Sequence, residues 1–180
     1  MLKRIIGTMA VAVLIVAPAQ QVSAQVAKGY TDIGVTVGVG NTGNAGLAFG
    51  LRFEHIFKEL PDLGGGLLGI GISADYYGYS DGFVGYGYDF KYIPIGATAN
   101  YHFKLENKKI DAFIGAGLGY QIITCNVTGV GFSNSYCSNS ALYFIGRVGG
   151  RYFLKPNLAL YADAGAGAAT LSVGLTFKLK

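Results

Sequence analysis

The chain has 180 residues, 51% of them hydrophobic and only 13% charged, with 29 glycines, 13 tyrosines and no tryptophan. That length supports one domain, two at most. The glycines follow no Gly-X-Y period, which excludes collagen, and sparse charge with abundant aromatics excludes a disordered chain. After the N-terminus no run of about 18 apolar residues occurs, so a bundle of membrane helices is excluded too, although the mean hydropathy is +0.39.

Residues 1–24 read as an export signal. Lys3 and Arg4 form a charged start, Met9 to Ala19 a short apolar core, and Val22-Ser23-Ala24 the small residues behind which a signal peptidase cuts. The apolar core is too short for a membrane anchor. Cleavage after Ala24 leaves 25–180 as the mature domain and removes two bases, so the net charge falls from +4 to +2. No clustered basic stripe marks a nucleic-acid partner. In an oxidising compartment Cys125 and Cys137 are expected to form a disulfide. Two cysteines without neighbouring histidines make a poor zinc set, so no metal or cofactor site is expected.

Along the mature chain, period-two alternation replaces helical periodicity. Ile33, Val35, Val37 and Val39 alternate with Gly34, Thr36 and Gly38. After the turn Gly40 to Asn44, Leu47, Phe49, Leu51 and Phe53 alternate with Ala48, Gly50, Arg52 and Glu54. Equivalent runs begin at Leu68, Ile93, Ala112, Leu142, Leu158 and Thr170, which predicts eight strands. Each is close to the 9–11 residues that a tilted strand needs to cross a bilayer. Long connections are read at 80–88 and 124–140, short ones at Leu105 to Lys109 and Lys155 to Asn157, and a tight hairpin near Ala168 and Ala169. His55 to Gly66 is long for a connection on the short-turn side.

One strand face is nearly uncharged, whereas the other mixes glycine with Arg52, Glu54, Asp75, Arg147, Arg151 and Asp163. A basic side chain facing lipid costs about 2–4 kcal/mol at the bilayer midplane. Opposite charges in a narrow interior can instead pair, in space that the glycines leave. The apolar face therefore points outward to hydrocarbon, and closure into a barrel leaves no unpaired edge in lipid. The outward aromatics Phe53, Tyr76, Tyr101, Phe103, Tyr152 and Phe177 fall toward strand ends, in the manner of an aromatic girdle. Asp89 and Lys91 violate this parity; a bulge at Pro94 is expected to turn both inward.

The predicted architecture is all-β, an eight-stranded antiparallel up-and-down transmembrane β-barrel, and over the whole mature chain it resembles the small outer-membrane barrels of the OmpA/OmpX type. Ser172-x-Gly174-x-x-Phe177-x-Leu179 is similar to the C-terminal assembly signal of that class, with Lys180 as an extra residue. The resemblance implies a Gram-negative outer membrane, periplasmic termini and external long loops. It also implies outer-membrane lipids, lipopolysaccharide and the barrel-assembly machinery as partners of a monomer.

Some barrels of this size are enzymes acting on lipid A. Catalysis needs a nucleophile, a base and an orienting group within hydrogen-bond reach. His55 and His102 are the available imidazoles, and both are placed at the periplasmic end; His102 is expected to bond Asn100 or acids at the strand ends. No catalytic residue is assigned. The lumen charges could line a pore, but in so narrow a barrel a plug of ion pairs is the favoured reading. The function expected is a structural or surface-interaction barrel without chemistry of its own, its recognition lying in Ser80 to Tyr88 and Cys125 to Cys137. A narrow channel for small or apolar solutes is the alternative, a lipid A-modifying enzyme the next.

Overall fold

The computed structural model describes residues 26–83, 86–128 and 139–179. The expected export signal at 1–24 and Lys180 lie outside the described residues. Eight antiparallel strands close into one barrel in sequence order, with β1 (Thr31–Val39) pairing both β2 (Leu47–Leu60) and β8 (Leu171–Lys178). Between them run β3 (Gly66–Phe83), β4 (Tyr86–Phe103), β5 (Ile110–Thr128), β6 (Asn139–Lys155) and β7 (Leu158–Ala166).

Alternation fixes which way each side chain points. In β1, Ile33, Val35, Val37 and Val39 are exposed, while Asp32, Gly34, Thr36 and Gly38 are buried. The same register holds around the circle, so an outer belt of valine, leucine, isoleucine and phenylalanine surrounds a polar lumen. The lumen is narrow, and its long side chains lie over the glycines that line it. A Cβ on Gly119 would collide with Tyr143, one on Gly115 with Asn100, one on Gly96 with Ile145, and one on Gly50 with Asp75 and Arg52. At the β1–β2 turn, Gly40 and Asn41 adopt positive φ of 73° and 57°, the left-handed geometry that glycine and asparagine tolerate best.

Three expectations need correction. First, the described parts of the segments 80–88 and 124–140 are strand: β3 runs on to Phe83, β4 starts at Tyr86, β5 runs on to Thr128, and β6 starts at Asn139. Above the apolar belt there is no greasy outer face to read, because the outward residues are Gly78, Ser80, Thr124 and Asn126, and the aromatics turn inward. Second, His55 to Gly66 is no long connection. β2 continues to Leu60 across a register shift between Ile56 and Lys58, leaving a short turn before Gly66. Third, Pro94 makes no bulge. The β3–β4 ladder skips two pairs between Ala74↔Ile95 and Tyr77↔Tyr92 but resumes in the same register, and β4 pairs β5 regularly through Pro94↔Gln121. Asp89 and Lys91 therefore stay on the outer face. They are tolerated there by height: the exposed apolar series stops at Tyr76, Ile93, Ile122 and Leu142, and both charges lie beyond it.

The barrel is thus lopsided. β1, β2, β7 and β8 end near the top of the belt, whereas β3 to β6 continue as a wall above it. The opposite rim carries both ends of the described chain and holds a cavity of about 260 Å³ that reaches His102 and Asp111. Val26 and Tyr30 tuck into it against Ile56, Phe153 and Ala159. Gly29 N donates to Ile56 O at 2.8 Å and Ile56 N to Tyr30 O at 2.9 Å, so this segment is stitched to β2.

Candidate functional site

The lumen holds the only dense polar constellation among the described residues, and its lower half centres on Arg151 of β6. The residue is 3% exposed. Its Nη1 donates to Asp111 Oδ2 at 2.7 Å, its Nη2 donates to Glu54, and its Nε lies 2.9 Å from Asp32 Oδ2 without donating a hydrogen bond. Rings of Tyr30, Phe113 and Tyr161 surround it, their centroids 5.9, 5.6 and 5.8 Å from its central carbon. A buried arginine ringed by three carboxylates and three aromatic faces is satisfied on nearly every side.

His102 of β4 completes this half. Nδ1 lies 2.9 Å from Asp111 Oδ1 and Nε2 lies 3.0 Å from Glu54 Oε1, so each ring nitrogen faces a carboxylate. An imidazolium, with a donor on each nitrogen, fits that pair of acceptors. Asn100 Nδ2 also donates to Glu54 Oε1, at 2.5 Å, and Tyr30 OH donates to Asp32 Oδ2 at 3.0 Å. One step up the barrel, Arg52 pairs Asp75 at 2.8 Å and Arg147 pairs Asp163 at 2.5 Å, with Tyr161 OH donating to Asp163 as well.

All six charges inferred from parity thus lie in the lumen: Arg52 with Asp75, Arg147 with Asp163, and Arg151 with Glu54. Two carboxylates of the cluster, Asp32 and Asp111, were not inferred. Each is the first lumen-facing residue of its strand, just ahead of the apolar alternation; extending the parity by one residue would have placed both inside. The space left over is small. A void of about 30 Å³, enough for about one water, lies among Arg52, Ser73, Thr98, Asn100 and Arg147.

Above this ion-paired zone the lumen changes character. Tyr77 and Tyr92 stack with centroids 4.8 Å apart, Tyr79 and Phe90 at 5.1 Å, and Tyr88 and Phe90 at 6.5 Å. Gln121 Nε2 donates to Tyr77 OH at 2.5 Å. This ladder lines the inner side of the wall, over a mouth cavity of about 410 Å³ that reaches Asn41, Pro94, Tyr143 and Thr170.

His55, the second imidazole, points outward at the terminal rim, where its Nδ1 lies 2.8 Å from Thr31 Oγ1. Among the described residues no carboxylate bonds its ring. Cys125 is buried on β5 in the wall, and Cys137 lies outside the described residues. In β8, Ser172 is buried on the lumen face and Phe177 is exposed; just past its end Leu179 is exposed and its N donates to Thr31 O at 2.8 Å. Gly174 packs so closely against β1 that a Cβ would strike the backbone at Val35.

No protein-family model and no curated protein sequence matches the chain. Solved structures do match its shape. The N-terminal β-barrel domain of Pseudomonas aeruginosa OprF superposes with a TM-score of 0.51 at 15% identity, covering 84% of this chain and 98% of that one. Neisserial surface protein A gives a TM-score of 0.49 at 20% identity, over 83% of this chain and 95% of that one. The outer membrane enzyme PagL gives 0.43 at 20% identity, over 82% and 97%. The closed eight-strand topology and the superposition on the OprF domain give the chain the fold of the small eight-stranded outer-membrane barrels.

Proposed function

We propose that the chain is an integral outer-membrane β-barrel that performs no reaction, keeps its lumen shut and offers its projecting wall to other molecules at the cell surface. The observation that carries this reading is the lumen itself. Arg52, Arg147 and Arg151 are each bonded to a carboxylate, His102 is held between the two that Arg151 also bonds, Asp111 and Glu54, and the void among the three arginines admits about one water. A side chain so engaged is not free to act as a base, and a path so filled does not carry ions. The apolar belt supports a bilayer setting, since placing that much valine, leucine and phenylalanine in water has no compensating partner among the described residues.

Recognition is assigned to the wall, where tyrosine, glycine and serine combine rigid contact area with adaptable hydrogen bonding. A Cys125–Cys137 disulfide would brace its upper edge, and faster gel migration without reductant than with it is the expected sign. Ser172, Gly174, Phe177 and Leu179 are the residues offered to the assembly machinery, and lipids with lipopolysaccharide are the surroundings of the finished monomer. The test has two arms on folded protein. Planar-bilayer recordings should show no steady current, and mass spectrometry of lipid A from cells with and without the protein should give one profile. A current that disappears on changing Arg147 or Arg151 makes the barrel a channel, and an altered lipid A makes it an enzyme.

A further inference from the structure

The even-numbered strands all run toward the terminal rim, and they leave the apolar belt in the same way. Phe57-Lys58 in β2, Phe103-Lys104 at the end of β4, Leu154-Lys155 in β6 and Phe177-Lys178 in β8 each pair an exposed apolar side chain with an exposed lysine. Lys28, Lys108 and Lys109 lie at the same rim, against the exposed acids Glu59, Asp62 and Glu106. Asp32, Glu54 and Asp111 do not neutralise these lysines, because they are buried and bound to Arg151 and His102. Among the described residues no lysine of this rim is in an ion pair; Lys178 instead sits 5.6 Å from the Tyr30 ring centroid. The rim therefore carries a net charge of +4, seven lysines against three acids, whereas the wall at the other end has Lys91 against Asp81 and Asp89.

From this placement we infer that the terminal rim is a basic collar that binds the anionic phosphate headgroups of the leaflet it meets. Interfacial aromatics settle at headgroup depth, and a lysine stem can lie along apolar surface while its ammonium reaches the phosphates. Lys58, Lys104 and Lys155, on three strands around the circumference, put cations within reach of the headgroups, and Lys178, on the lumen parity of β8 over the Tyr30 ring, adds its charge to the underside of the same rim. An unpaired lysine near an anionic surface is attracted to it, and the attraction is screened by salt. The inference rests on the bilayer-spanning reading above.

The test uses residues 25–180 folded into nanodiscs of phosphatidylcholine with a minor fraction of phosphatidylglycerol. Lipids still bound after mild detergent extraction are counted by native mass spectrometry, and heat-modifiable gel migration confirms the fold. Phosphatidylglycerol should be enriched on the order of tenfold over its share of the disc, with the enrichment falling at high salt. The K58Q/K104Q/K155Q/K178Q variant should return it to parity, and K91Q at the opposite end should leave it unchanged. If the fourfold variant does not fold, the two double variants K58Q/K104Q and K155Q/K178Q should each lose part of the enrichment. Parity in the unmodified protein, or enrichment that survives these substitutions, overturns the collar while leaving the barrel reading intact. Displacement of phosphatidylglycerol by soluble polyglutamate, bound more tightly, overturns it in favour of an acidic polymer. A chain that never enters the disc overturns both.

Discussion

The lower and upper halves of the lumen share one inward parity and fill it in opposite ways. Below, where eight strands close the circle, Arg151, His102, Asp32, Glu54 and Asp111 are buried and bonded to one another. Above, where only β3 to β6 continue, Tyr77, Tyr79, Phe90 and Tyr92 stack, and all but the buried Tyr77 are partly open. Ionised groups can be enclosed only where partners are available on all sides, because a buried charge that loses its partner is far costlier than a bare aromatic face. Stacked rings need support from one sheet alone, so they suit a wall with an open side.

The contrast can be broken most forcefully at its lower pole. Arg151→Met leaves three buried carboxylates facing one another and should cost about 3–5 kcal/mol, read from urea unfolding in lipid vesicles; a loss under about 1 kcal/mol would mean that the cluster contributes no net stability. His102→Ala removes two hydrogen bonds to charged acceptors, each worth about 1.5–3 kcal/mol, although relaxation of Glu54 and Asp111 toward Arg151 should bring the total to the lower end of that range in the same assay. Tyr92→Leu keeps the bulk of an apolar side chain but loses the stack on Tyr77, an expected change of about 0.5–1.5 kcal/mol, with far-ultraviolet circular dichroism unchanged. Lys91→Gln sharpens the boundary between the halves: a charge held above the belt in water should change stability by less than about 0.5 kcal/mol, whereas a large gain would place that position in hydrocarbon.

Parity made the barrel legible, and its limits follow from the same physics. Leu51-Arg52-Phe53-Glu54 can be read because lipid requires apolar residues on one face and the lumen tolerates charge on the other. Tyr77-Gly78-Tyr79-Ser80 cannot be read that way: with water on both sides, the larger side chains face inward and the outer face carries no apolar mark. Asp32 and Asp111 escaped because each stands one residue before the point where its alternation is read to begin, Ile33 and Ala112, although Ile110 already precedes Asp111 on the outer face. Pro94 misled because proline usually signals a bulge; here the ladder with β3 lapses for two pairs and then resumes in step. Asp111 is the register partner of Arg151 on the adjoining strand, but no spacing rule brings Asp32 and Glu54 to it, because they lie on β1 and β2 and meet β6 only when the circle closes.

The glycines beneath the long lumen side chains carry a consequence for anyone recombining such barrels. Tyr143 occupies the room left by Gly119 on the adjoining strand, as Asn100 does over Gly115, and Ile145 of β6 reaches past β5 to lie over Gly96 of β4. Each bulky residue and the hollow that receives it belong to different segments of sequence, so they can be exchanged only as couples. A hairpin transplanted alone from another cylinder would arrive with its protrusions facing filled sites, and the graft would have to include the flanking strand to fit.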